Sequence, residues 1–114
     1  MRRIVAYGRF YSDFMRTLSE EEQMKIRRAL ALFSNHERIP IHYIKYIREG
    51  VYEFRVTHIH NEFRIFFCYD GETLVILFNA IRKKTRKLKN SDVEKAIKLR
   101  TEYYESKKKF GEDR

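Results

Sequence analysis

Thirty residues in the middle of the chain leave little choice of fold. Residues 51–80 alternate with period two, are rich in β-branched and aromatic side chains, and are broken only by turn-forming pairs. Residues 51–59 read as a strand and His60-Asn61 as a turn. Residues 62–69 read as a second strand, Asp70-Gly71 as a two-residue hairpin turn, and residues 72–80 as a third strand. The product is an antiparallel meander. With turns at those pairs, period two puts Tyr52, Phe54, Val56, Phe63, Ile65, Phe67, Tyr69, Leu74, Ile76 and Phe78 on one face. All ten are apolar or aromatic, so this is the face that helices should cover. The other face collects Glu53, Arg55, Thr57, Arg64, Phe66, Cys68, Thr73, Val75, Leu77 and Asn79. A one-residue slip in either turn would scramble this sorting, and the clean apolar set argues against a slip.

The flanks supply the helices. Residues 3–7 read as a short strand. Phe10, Phe14, Met15 and Leu18 follow at helical spacing. Ser19-Glu20-Glu21-Glu22 is a capping box that opens a helix to about Phe33, with Ile26, Ala29, Leu30 and Phe33 on one face. Ser34-Asn35-His36 ends it, and two antiparallel helices near the N-terminus result. Residues 38–49, with Pro40, form a connector carrying a short strand near 44–47. Ser91-Asp92-Val93-Glu94 reads as a second capping box, opening a last helix to about residue 108 with Val93, Ala96, Ile97, Arg100 and Tyr104 on one stripe. The end, from Lys107-Lys108-Lys109 to Arg114, is expected to fray. The pattern is α+β: a small, mainly antiparallel sheet with two N-terminal helices and one C-terminal helix. A chain of 114 residues fits one domain, 1–114.

Composition removes several classes. With 43% hydrophobic and 36% charged residues, wholesale disorder is excluded. No apolar run approaches the roughly 20 residues of a membrane span. The N-terminus lacks the apolar core of a secretory signal, and the one cysteine, Cys68, has no internal disulfide partner. A cytoplasmic location is expected.

Charge is the first functional clue. Residues 1–81 carry 12 basic and 10 acidic side chains, whereas residues 82–114 carry 13 basic and 6 acidic. Nucleic acid, an anionic membrane surface or an acidic protein partner would each suit such a segment. The densest run is Arg82-Lys83-Lys84-Thr85-Arg86-Lys87-Leu88-Lys89, just past the third strand. From there its side chains reach the edge of the mixed sheet face. With Arg55 and Arg64 they would form a positive surface for RNA or DNA phosphates. Arg82, Lys84, Arg86 and Lys87 are candidate RNA contacts, and Phe66 could stack on a base. The plainer readings are core packing for Phe66 and an ion pair with Glu53 for Arg64. His58-x-His60 lacks further ligands at metal spacing, so no metal is expected. Cys68 reads as a buried small hydrophobe, with His58 on the opposite face.

Three segments in order then resemble a known family. They are Gly50-Val51-Tyr52-Glu53-Phe54-Arg55, Phe63-Arg64-Ile65-Phe66-Phe67, and the run from Leu77 through Asn79-Ala80-Ile81 to Lys84-Thr85. With Glu94-Lys95-Ala96 through Glu102-Tyr103 they resemble the RelE/ParE toxin superfamily, in its HigB-like or phage-derived Gp49-like branch. The resemblance covers about residues 44–104. It implies a RelE-like fold and a toxin of a type II toxin–antitoxin system. It further implies a ribosome-dependent mRNA endoribonuclease that inhibits translation without metal or cofactor. The ribose 2′-OH would attack the adjacent phosphate, which requires a base, an acid and cations for the phosphorane charge. Carried over by position, Arg64 falls at the central-strand arginine that contacts the scissile phosphate. Arg55 falls at a basic position of the preceding strand, and Lys83 near the basic residue after the last strand. Glu53 stands where RelE has lysine, so it is either a base or a residue that orients Arg55 and Arg64. Tyr103 and Tyr104 inherit no role. The expected partners are a cognate antitoxin of the helix-turn-helix type, the ribosome and mRNA. Arg64→Ala is expected to relieve growth arrest with the fold intact. Two other classes stay open: a ParE-like poison of DNA gyrase, and a non-catalytic basic RNA-binding module.

Overall fold

The computed structural model describes residues 1–36, 43–83 and 89–112, with side chains to residue 109. The order is β1 (Arg3–Ala6), α1 (Phe10–Arg16), α2 (Glu20–Asn35), β2 (Ile44–Arg48), β3 (Val51–His58), β4 (Asn61–Asp70), β5 (Leu74–Lys83) and α3 (Asn90–Glu112). The strands form one sheet in the order β1-β5-β4-β3-β2. β1 runs parallel to β5, and every other pairing is antiparallel. This is the expected α+β fold.

Local chemistry sets the elements. The Ser19 side chain accepts from the Glu22 backbone N–H, while the Glu22 carboxylate accepts from the Ser19 N–H, so the expected capping box is formed. The second expected box is not. Ser91 lies inside the first turn of α3, and it is the Lys89 carbonyl that accepts from the Asp92 and Val93 N–H groups. α3 also runs further than expected, to Glu112, and Lys107 is held at 2.8 Å by Asp70 rather than frayed. Residues 113–114 and the Pro40 part of the connector lie outside the described residues.

Both faces of the sheet are covered, which corrects the one-sided expectation. α1 and α2 cover Phe54, Val56, Phe63, Ile65, Phe67, Val75 and Leu77 with Met15, Leu18, Ile26, Leu30 and Phe33. The Phe33 ring stacks on Phe54 at 5.3 Å. On the other face Val93, Ala96 and Leu99 of α3 close over Val51, Phe66, Cys68, Ile76 and Phe78.

The face assignment holds for β3 and β4 but not for the first half of β5. The first hairpin turns at Ile59-His60, because His58 pairs with Asn61. Moving that turn by one residue shifts each pair by two, which preserves the faces. The second hairpin has a three-residue loop, since Asp70 pairs with Leu74. That odd shift turns β5 over, so Val75 and Leu77 face α2 while Ile76 and Phe78 face α3. A β-bulge between Ile65 and Phe67 then absorbs one residue, and Arg64 pairs with Ile81. Beyond the bulge the expected parity returns, which puts Lys83 on the α3 side and Arg82 on the α2 side.

Candidate nucleic-acid interface

The N-terminal end of α3 is fixed by Asn79, whose Nδ2 donates to the Asp92 carbonyl at 3.1 Å. On the α3 side of the sheet, beyond the Phe66 and Phe78 cluster, lie Glu53 and Arg55 of β3, Glu62 and Arg64 of β4, and Lys83 of β5. Arg55 sits directly across from Arg64, and Glu62 across from Lys83.

Glu53 is the centre of this group. Its side chain is 1% exposed, and its Oε1 accepts from Arg55 Nε at 2.9 Å and Arg64 Nη1 at 2.7 Å. Arg64 is 4% exposed, and its Nη2 donates to Glu62 Oε1 at 2.9 Å. Two carboxylates thus face three cations, so the cluster keeps a net positive charge. Burying Glu53 and Arg64 alone would cost several kcal/mol per ion, and their mutual pairing offsets it. Glu53 Oε2 and Arg64 Nε have no hydrogen-bond partner among the described residues. Lys83 is partly buried beside Arg64. Desolvation, and then the Arg64 charge, hold its ammonium below the usual lysine pKa, with Glu62 and Glu53 opposing.

These side chains form a basic, carboxylate-ordered patch at the carboxyl end of β5. A family model described as phage-derived protein Gp49-like (DUF891) matches residues 13–101. The chain belongs to the Gp49-like family. The match runs from α1 into α3 and so takes in the whole charged cluster. Members of this family are RelE/ParE-like toxins, and membership implies a cognate antitoxin. No curated protein matches the chain with significant similarity.

For a Gp49-like protein the site candidates divide sharply by placement. Arg55, Arg64, Glu53 and Lys83 come together. Arg55 is 30% exposed and binds Glu53 through its Nε, and its terminal nitrogens make no ion pair among the described residues. Arg64 spends both terminal nitrogens on carboxylates. Arg82 is on the opposite face, where its Nη1 lies 3.0 Å from Glu22 Oε2 and its guanidinium covers the Phe63 ring. It joins β5 to the α2 capping box, whose Glu22 also accepts from Asn61 Nδ2. Phe66 has no exposed surface and packs under α3, so it offers no ring to a base. Lys84, Arg86 and Lys87 lie outside the described residues. Glu62 and Asn79 were missed from the sequence. Glu62 is 38% exposed, and only its register opposite Lys83 marks it.

A second polar group anchors the far end of α3. Tyr103 donates to Asp70 Oδ2 at 2.5 Å, Lys107 binds the same carboxylate, and Tyr104 donates to the Tyr69 carbonyl at 3.0 Å. Burial and the Asp70 charge push the Tyr103 phenol well above its usual range. Cys68 is fully buried nearby, its thiol pushed up to about 11 mainly by desolvation, so it is no nucleophile. His58 is on the other face, 3.9 Å from Glu21. Among the described residues no three His, Cys, Asp or Glu side chains converge as metal ligands. No described helix is long and apolar enough to cross a membrane.

Proposed function

We propose that this Gp49-like protein is the toxin of a type II toxin–antitoxin pair that cleaves mRNA on the ribosome and so blocks translation. The observation that carries the reading is the Glu53-centred set of Arg55, Arg64 and Lys83 on one sheet face. In this reading Arg55 and Lys83 touch the scissile phosphate, since their charged ends are the accessible ones. Arg64 and Glu53 are positioning residues that hold Arg55 and set the charge around Lys83.

The reaction consumes no co-substrate beyond the RNA. Lys83 as the free amine takes the 2′-proton, the 2′-oxygen attacks the adjacent phosphorus, and the bond to the 5′-oxygen breaks as the same ammonium returns the proton. That oxygen takes up a proton, leaving a 2′,3′-cyclic phosphate and a 5′-hydroxyl. Lys83, whose proton affinity is lowered by its surroundings, is the group we assign to proton transfer and to the charge on the phosphorane. Basic residues of the 84–87 segment, Lys84, Arg86 and Lys87, would extend the phosphate contacts along the strand, in a cytoplasmic setting.

The test is the reaction itself. Programmed ribosomes with purified protein should yield mRNA fragments ending in a cyclic phosphate, and Lys83→Ala and Arg55→Ala should each cut more slowly by about 10²-fold, the range of a lost general acid–base or charge-stabilising group. Intact mRNA under those conditions would refute the reading.

A further inference from the structure

The charged cluster does not end at the sheet face. The β2 ladder stops at the Ile44–Phe54 pair, so Arg55, Val56 and Thr57 lie past its end. Between this part of β3 and helix α2 runs a groove of about 540 Å³, a volume within the range of small-molecule sites. Its floor is apolar, made by Ala29, Leu32, Val56 and Tyr43, and its rim carries Lys25 and Arg28 of α2, Arg55 of β3, and one carboxylate, Glu62, which is already paired with Arg64. Neither Lys25 nor Arg28 has an ion-pair partner among the described residues. A smaller hollow that shares both cations lies toward Glu21, Met24 and His58.

An apolar floor with a cationic rim is the arrangement that accepts a nucleotide, the base on the floor and phosphates on the rim. Arg55 belongs to both places, since it lines the groove while its Nε is held by Glu53 in the cluster. A strand whose phosphate lies at Arg55 and Lys83 therefore has its neighbouring nucleotide beside the groove.

We infer that the groove between α2 and β3 is a nucleotide subsite for single-stranded RNA, with Lys25 and Arg28 holding the phosphate next to the scissile one. This rests on the proposed action on RNA, and the experiment separates the two. Binding of a labelled single-stranded oligoribonucleotide to the purified chain is followed by fluorescence anisotropy across a salt series. The chain is compared with Lys25→Ala/Arg28→Ala and with Arg3→Ala/Arg27→Ala. Both doubles remove the same charge, but Arg3 and Arg27 line a different groove, along β1. The Lys25/Arg28 double should lose roughly tenfold in affinity and lower the log–log salt slope by about 0.7, as the loss of one neutralised phosphate on a single strand requires. The Arg3/Arg27 double should change the slope by far less. Equal losses in both would mean that only net charge matters, and would overturn the subsite while leaving RNA binding intact. Unchanged affinity in the Lys25/Arg28 double would also overturn it and leave the groove to an acidic polypeptide. If the unaltered chain fails to bind RNA, the proposed function falls with it.

Discussion

Arg64 shows why the most conspicuous residue is the least clean probe of the site. Its guanidinium is buried between Glu53 and Glu62, so Arg64→Ala leaves a buried carboxylate with one partner fewer. Breaking such a pair costs about 3–5 kcal/mol, against a total stability of about 5–15 kcal/mol for a domain. Loss of toxicity in Arg64→Ala would therefore mix lost stability with lost function. Urea denaturation should show Arg64→Ala destabilised by that amount, while Arg55→Ala, which removes a partly exposed guanidinium and leaves Glu53 its shorter bond to Arg64, should cost less. Equal stability of the two variants would contradict the burial argument. Loss of toxicity in Arg55→Ala and Lys83→Ala is the informative result, because neither should unfold the protein.

At the scale of the element, turns decide more than strands do. Ile59 is a β-branched residue held at φ +56 with 73% of its surface exposed. An exposed side chain has little packing to offset that conformation, so Ile59→Gly should stabilise the hairpin by about 1 kcal/mol and raise the melting temperature by several degrees. Gly50 poses the opposite problem. It sits at φ +79, and an added Cβ would lie 2.6 Å from Arg100 Nε, whereas at Gly71, also at φ +79, an added Cβ meets nothing. Gly50→Ala should therefore cost more than Gly71→Ala, by about 1 kcal/mol on top of the shared left-handed penalty. Denaturant midpoints compare them directly.

The same turns explain what was legible in the sequence. β3, β4 and the α2 cap could be read from alternation and Ser19-x-x-Glu22 alone. The Asp70-Gly71 pair, however, starts a three-residue loop, and one extra residue reverses the faces of Val75 to Phe78. The bulge that restores parity carries no sequence mark. Lys83 therefore landed on the expected side, and Arg82 landed against Glu22. Phe66 looked available because a mixed strand face is ambiguous without knowing that α3 covers it. The Arg55, Arg64 and Glu53 grouping was visible because β3 and β4 kept their faces.

At the scale of the whole molecule, carboxylates bind the layers together, and this sets the acid response. Glu22 ties α2 to β4 and β5. The Ser19 backbone N–H, which donates to its carboxylate, and then the Arg82 guanidinium hold its carboxyl below the usual 4.5. Asp70 ties α3 to the β4–β5 hairpin, and Lys107 and Tyr103 hold it below the usual 3.8. A depressed folded-state pKa contributes stability above the unfolded value and loses it as pH falls through the folded one. Stability should thus be flat with respect to these groups above about pH 5 and fall below about pH 4.5. Glu22→Gln should be less stable at neutral pH and show a shallower loss in acid. An unchanged acid profile would remove Glu22 from this role.

Mapping mRNA 5′ ends shortly after the chain is induced alone in a bacterial cell reads the proposed cleavage itself. The account predicts new ends at fixed positions within translated codons, together with growth arrest. Both should disappear in Lys83→Ala while the variant stays folded. Growth arrest with intact mRNA and an induced DNA-damage response would contradict it and point to gyrase as the target.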